Sequence, residues 1–150
     1  MSLITDAIFV QALRSNSALM QQLADGDVYN TTIALPDEEL DNAELPYIIV
    51  SFDGFTNEGS TKDNAFEGDT DRVTVSIEVA AETRPQLGQI MQDVRSTIVN
   101  FFDENFGEDG YELIPDDYQL RGSAVNYDSL KPCYYQVLTY DCDTNPYYCL

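Results

Sequence analysis

The sequence contains no histidine, and it has only 7 lysines and arginines against 27 aspartates and glutamates. Because histidine is the commonest proton shuttle near neutral pH, its absence excludes histidine-based triads, cysteine–histidine dyads and HExxH zinc sites. The formal net charge of -20 repels nucleic acid phosphates and anionic membranes, so sequence-specific DNA binding is not expected. Such acidity either serves solubility alone or marks a surface that meets a basic partner or lines a passage through which DNA slides.

Cysteines and long apolar runs are also scarce. Cys133, Cys142 and Cys149 are odd in number and lack C-x-x-C spacing, so neither a disulfide framework nor a zinc site is expected. A reducing cytoplasm fits this pattern best. No run of about 18 apolar residues occurs, and the opening MSLITDAIFVQALR lacks a basic start before an apolar stretch, so we expect no membrane segment.

The stretch DRVTVSIEVAAETRPQLGQIMQDV, residues 71–94, predicts a strand followed by a helix. Its first half alternates apolar and polar residues with the period of two that is typical of a half-buried strand. Thr83 is the expected N-cap, Gln86 completes a capping box, and Pro85 is tolerated in the first turn. The turn has neither the glycines of a phosphate loop nor a nucleophile elbow, so we expect it to be scaffold. The predicted buried stripe of the helix is Leu87, Ile90, Met91, Val94, Ile98, Phe101 and Phe102.

The N-terminal part of the chain predicts one helical region and a long acidic loop. Apolar residues recur at helical spacing over residues 3–24, with a possible break near Ser15. A short extended piece at residues 28–30 precedes the polar, proline-containing loop 31–45. Loops of this length in small domains are often functional or ordered by a neighbour.

The remaining strand signals determine the expected fold class. PYIIVSFDGF, within residues 46–55, predicts a strand that pairs with residues 71–82 in a long hairpin. Two further strands are expected at residues 118–127 and 133–141. We therefore predict a single α+β domain over residues 1–150, with a mostly antiparallel sheet of about four to five strands and two main helices packed on one face.

Pairs of acidic residues offer the only candidate metal chemistry. Asp69 and Asp71 form a D-x-D pair, and Asp141, Asp143 and Asn145 imitate the first half of a calcium loop, although a proline replaces the glycine needed at its sharp turn. Such pairs arise by accident in a chain with 27 acids. The serines have no plausible base, and the lysines lie in turn-like stretches instead of apolar pockets. We expect no enzyme activity, metal or cofactor; a hydrolase built on the D-x-D pair is the minor alternative.

Tyrosine is abundant, with ten copies in the chain. Tyr134, Tyr135 and Tyr140 lie in the last predicted strand, and they either pave that strand or contact a subunit or partner. Because alternate residues of a strand point to opposite faces, the group is able to do both.

The order of these elements resembles a known family. The helix ITDAIFVQAL leads through DVYNTTIALPDEELDNAELPYIIVSF to TDRVTVSIEVAAETRPQLGQIMQDVRSTI and then VNYDSLKPCYYQVLTYD. This arrangement, over about residues 4–143, resembles the tail completion and tail terminator proteins of long-tailed phages and prophages, the lambda-type terminator group with an α+β fold. The resemblance lies in element order and apolar pattern.

The resemblance implies a structural role in the virion, at the neck of the tail, after assembly in the cytoplasm of the bacterial host. Members form a ring, generally of six subunits, that stops polymerisation of the tail tube and presents a surface to the head connector. The implied partners are other copies of the chain, the tail tube protein and the connector protein, while DNA passes through the lumen without specific binding.

Two segments are expected to meet neighbouring subunits or the tube: loop 31–45 and the hairpin tip 56–70. Arg72 and Arg84 are candidate inter-subunit ion-pair partners because cations are so scarce; the alternative is that they are exposed arginines with little energetic weight. The candidate interface residues are Asp37, Glu38, Glu39, Lys62, Asp69, Asp71, Arg72, Arg84, Tyr134 and Tyr135. The alternative functions are a head-to-tail adaptor and an unrelated acidic module that mimics DNA or captures a basic protein.

Overall fold

The computed structural model describes residues 5–30, 44–57, 71–109, 114–115 and 117–144. Within these ranges the chain forms helices and strands in the predicted order. The helices are α1 (Thr5–Arg14), α2 (Ser17–Gln22) and α3 (Arg84–Asn105). The strands are β1 (Tyr29–Asn30), β2 (Tyr47–Asn57), β3 (Asp71–Ala81), β4 (Asp117–Gly122), β5 (Asn126–Asp128) and β6 (Cys133–Thr144).

The strands form one six-stranded sheet in the order β1-β2-β3-β6-β4, with β5 also paired to β6. The α+β class is confirmed, and so is the long β2–β3 hairpin. The expected strand number was too low, and the sheet is mixed because β1 pairs with β2 in parallel while every other described pair is antiparallel. A parallel pair needs a crossover connection in place of a tight turn, and the chain between β1 and β2 is long enough to supply one.

The predicted strand 118–127 is interrupted at residues 123–125, which adds a strand to the count. The Ser123 N–H donates to the Val137 carbonyl at 2.9 Å, and the Ser123 Oγ accepts from the Val137 N–H at 3.0 Å. The Gln136 side-chain amide also donates to the Ser123 carbonyl at 2.7 Å. A side-chain hydroxyl therefore replaces one backbone rung, so that β4 and β5 become separate strands.

The strand-to-helix turn has the predicted N-cap, Thr83. The Thr83 hydroxyl accepts from the Gln86 N–H at 3.3 Å, while the Gln86 side-chain oxygen accepts from the Glu82 N–H at 3.3 Å. The first bond occupies a donor that the first turn of α3 leaves without an intrahelical partner. The second differs from the predicted capping box by one residue, because the Gln86 side chain accepts from the N–H of Glu82 and not from that of Thr83. Thr83 thus fixes where β3 ends and α3 begins.

The predicted apolar faces of β3 and α3 lie in one hydrophobic core. The alternate apolar residues of β3 are fully buried, and α3 contacts β3 and β6 while α1 contacts β2 and β3. Every residue of the predicted α3 stripe is buried. The shared core includes Ile8, Phe9, Leu13, Leu19, Ile48, Val50, Val73, Val75, Ile77, Val79, Leu87, Ile90, Val94, Ile98, Phe102, Leu138 and Tyr140.

The predicted break near Ser15 separates α1 from α2. The Ser15 hydroxyl donates to the Ala12 carbonyl at 2.6 Å, and Asn16 caps α2 by accepting from the Leu19 N–H at 3.2 Å. The Asn16 amide also donates to the Thr97 hydroxyl at 2.9 Å, so the break is tied to the middle of α3. Among the described residues, no helix is both long enough and apolar enough to cross a bilayer.

Candidate interaction surfaces

One face of the sheet carries a ladder of charged and hydroxyl side chains. We call it the polar face and define it by the residues of β3 and β6 that point away from the core. The Arg72 Nε lies 3.1 Å from an Asp143 carboxylate oxygen, and the Thr74 hydroxyl donates to Asp141 at 2.9 Å. From β4, the Arg121 Nε reaches the other Asp141 oxygen at 3.0 Å. The polar face therefore pairs its own charges across three strands.

The hydrogen bonds and charges of the ladder lower the pKa of the Asp141 carboxyl. Burial raises the pKa of this carboxyl, but the hydrogen bonds from Thr74 and Arg121 and the charges of Arg121 and Arg72 outweigh burial and leave the pKa below its ordinary value. The aspartates of the calcium-like stretch thus accept from arginines of the same chain. Within the described ranges, no cluster of three or more histidine, cysteine, aspartate or glutamate side chains is arranged to hold a metal ion.

The other end of the polar face is more apolar and surrounds a carboxylate. Glu78 stands opposite Ile49 and Val137 in the ladder, and burial raises its pKa. Burial, followed by the nearby charge of Glu78, raises the pKa of Tyr47 to about 12. The Lys131 ammonium lies 5.0 Å from the centre of the Tyr47 ring, within cation–π range.

The structure brings two of the predicted interface residues together. The Arg84 guanidinium carbon lies 6.0 Å from the centre of the Tyr134 ring, which is also 5.1 Å from the Tyr127 ring. Tyr134 packs against the core, and Tyr135, the next residue, points to the opposite face of the sheet. The tyrosines of β6 therefore lie along both faces of this strand. The Tyr127 side chain of β5 is 56% exposed.

The other predicted interface residues are not gathered at one place. Arg72 lies in the polar face, and Asp71, at the start of β3, is 4% exposed. Asp37, Glu38, Glu39, Lys62 and Asp69 lie outside the described residues, as do most of loop 31–45 and hairpin tip 56–70.

A groove that sequence reasoning missed runs between α3 and the edge of the sheet formed by β4 and β6. It has a volume of about 920 Å³. Apolar side chains from both sides line it, together with Arg95 and polar residues of α3. Val99 is an apolar residue outside the predicted buried stripe, which is a signal that the sequence offered, and it is 39% exposed in the structure. The apolar lining residues are Met91, Val99, Leu120 and Leu138.

No protein-family model matches the chain, and no curated protein matches it.

Proposed function

We propose that the protein is a structural subunit of a phage tail terminator ring, which ends polymerisation of the tail tube and joins the tail to the head connector. The observation that carries this proposal is the order of elements: helix, β2–β3 hairpin, long helix and β4–β6 sheet edge. The resemblance in the sequence rests on the same order. The net charge of -20 supports it further, because an acidic ring lets DNA pass without adhering.

In the proposed subunit, α1 and α3 cover one face of the sheet and leave the polar face for a neighbour or the lumen. The polar face suits such a position, because its arginines are engaged by aspartates of the same chain and offer no surplus positive charge to a DNA backbone. Loop 31–45 follows β1 in the sequence and hairpin tip 56–70 lies between β2 and β3 in the sequence; in the proposal both contact neighbouring subunits or the tube.

A ring of six copies carries a formal charge of -120, six times the -20 of one chain. Repulsion of this size opposes assembly at low salt. Because charges separated by more than roughly 8 Å are largely screened at physiological ionic strength, the ring tolerates its acids where they face water or a wet lumen. We therefore expect assembly to be more complete at higher salt.

The experiment is deletion of the gene from the phage that carries it, followed by electron microscopy of the lysate with tail length and head attachment scored in the same fields. Overlong tails without heads are expected. Tails of normal length that lack heads contradict the terminator role and support a head-to-tail adaptor. Intact virions contradict both and support an unrelated binding module. Restoration by a plasmid copy of the gene is the control.

A further inference from the structure

The groove beside α3 has apolar surface that no other residue described by the structure covers. Met91, Arg95 and Val99 follow one another at four-residue intervals, so their side chains lie on one side of α3. Leu120 of β4 and Leu138 of β6 form the opposite wall. Exposed apolar surface rimmed by polar groups is typical of a protein contact.

Arg95 gives the groove a charge preference. It is exposed, and it makes neither an ion pair nor a hydrogen bond with any residue that the structure describes. By contrast, Arg14, Arg72 and Arg121 each pair with an aspartate of the same chain. In a chain with 27 acids, an unpaired guanidinium beside an apolar wall suits an occupant that brings both apolar side chains and a carboxylate.

The same chain presents such an occupant. The turn between β5 and β6 and the residues before it, here called the 125–131 turn, expose Leu130 at 97%, Tyr127 at 56% and Val125 at 36%. The Asp128 carboxylate accepts from the N–H groups of Leu130 at 3.0 Å and Lys131 at 3.4 Å. A carboxylate is therefore held next to the most exposed large apolar side chain among the described residues.

We propose that the 125–131 turn of one copy docks into the α3 groove of a second copy. Leu130 then packs between Val99 and Leu120, and Asp128 comes within reach of Arg95. Burial of a leucine side chain strengthens association by about tenfold to a hundredfold. The Arg95–Asp128 pairing orients the turn and removes one repulsive charge from the contact between two acidic chains.

This contact is heterologous, because the turn and the groove are different surfaces of the chain. Repetition of a heterologous contact generates a ring when the rotation closes. The inference rests on the proposed function in one respect, since it names a subunit contact of the proposed ring. Self-association of the purified chain nevertheless tests it without any phage assay.

The test uses two variants: Leu130→Asp replaces the apolar side chain of the turn by a carboxylate, and Val99→Asp does the same in the groove. The mass of the purified proteins is measured by sedimentation velocity at physiological salt. Wild-type protein is expected to self-associate, and each variant is expected to lose at least about tenfold in association constant. An equimolar mixture of the two variants retains one intact turn and one intact groove, so it is expected to form a heterodimer that grows no further. Phe106→Asp, at a side chain 57% exposed beyond the end of α3, is the matched control and should associate like wild type.

A second groove variant tests the contact independently in case Val99→Asp fails to fold. Gly88 lies on the groove and has no atom within 4 Å of an added Cβ, so Gly88→Leu partly fills the groove without a clash at the backbone. It should block association as Val99→Asp does, with an unchanged circular dichroism spectrum.

The proposal is overturned if wild-type protein remains monomeric, which leaves the groove to another partner, or if the variants associate as well as wild type. It is also overturned if the mixture of variants stays monomeric. A heterodimer from the mixture together with normal tails in the deleted phage would refute the terminator role and leave the contact standing. Overlong tails together with unaffected association of the variants would support the terminator role and refute the proposed contact.

Discussion

Replacement of Tyr140 by phenylalanine should stabilise the protein. The Tyr140 side chain is fully buried, and its hydroxyl has no hydrogen-bond partner among the residues that the structure describes. Its ring lies 4.9 Å from the Phe9 ring and 5.6 Å from the Tyr118 ring, contacts that phenylalanine keeps. An unpaired buried hydroxyl costs about 1–3 kcal/mol, so Tyr140→Phe should raise the free energy of unfolding by about that amount.

The assay is urea unfolding followed by circular dichroism, with thermal melting as a second measurement. The midpoint should rise with an unchanged denaturant slope, and Tm should increase by roughly 2–4 °C for each kcal/mol gained. Tyr118→Phe is the matched control, because Tyr118 belongs to the same aromatic cluster but is only half-buried, and its effect should stay within about 0.5 kcal/mol. A loss of stability in Tyr140→Phe would refute the reasoning, since it would mean that the hydroxyl makes a favourable interaction.

Alkaline pH provides an independent check on the same hydroxyl. Burial raises the pKa of Tyr140 well above its ordinary value of 10.0. As the pH rises above about 10, the unfolded chain loses this proton while the folded chain keeps it, so the wild-type protein loses stability. Tyr140→Phe has no such proton to lose. Its advantage over wild type should therefore widen above pH 10, and a constant difference would contradict the assignment.

Three further predictions concern a buried carboxyl, a helix cap and the thiols. Burial raises the pKa of Glu78, so its charge destabilises the fold once the pH exceeds the ordinary pKa of 4.5. Glu78→Gln should therefore stabilise the protein at pH 7, as measured by urea unfolding. This gain should vanish below about pH 4, where Glu78 is uncharged in both the folded and the unfolded chain. Thr83→Ala should lower the free energy of unfolding by about 0.5–2 kcal/mol in the same titrations, with Thr83→Ser as the rescuing control, because it removes the N-cap of α3. Burial raises the pKa of Cys142 to about 12 and also raises the pKa of Cys133. A Cys149→Ser variant should therefore show no fast thiol reaction with a disulfide reagent at pH 8 until it is unfolded. A rapid reaction in the folded state would contradict the burial of both thiols.

Patterns within a few neighbouring residues predicted much of the structure. The buried face of β3 and the stripe of α3 were predicted correctly, because burial of one face imposes a period on the sequence. The alternation fails at Ala80, which was predicted on the opposite face of β3 and is also buried. The Thr83 cap and the break near Ser15 were also predicted, because local side-chain hydrogen bonds produce both. Arg84 and Tyr134 were both named as interface residues, but nothing in the sequence indicated that they contact each other.

The features that sequence reasoning missed depend on pairing between residues that are far apart in the chain. The sequence predicted a short extended piece at residues 28–30, where β1 lies, but it did not indicate that this piece pairs in parallel with β2. The interruption after β4 depends on Ser123 lying opposite Val137, which is a property of the strand register. A one-residue change in register moves every side chain to the other face, so such features are invisible until the strands are aligned.

Composition and local patterns established three properties of the protein: no histidine, a large acid excess, and two strongly amphipathic elements that must share a core. Which charges are neutralised and which surfaces remain exposed depends on contacts between distant parts of the chain. Asp141 and Asp143 accept from arginines because β3, β4 and β6 lie side by side, while Arg95 faces a groove that exists only where α3 meets the sheet edge. Hydrophobic periodicity is a local property of the chain, whereas ion pairing and grooves depend on contacts between residues far apart in sequence.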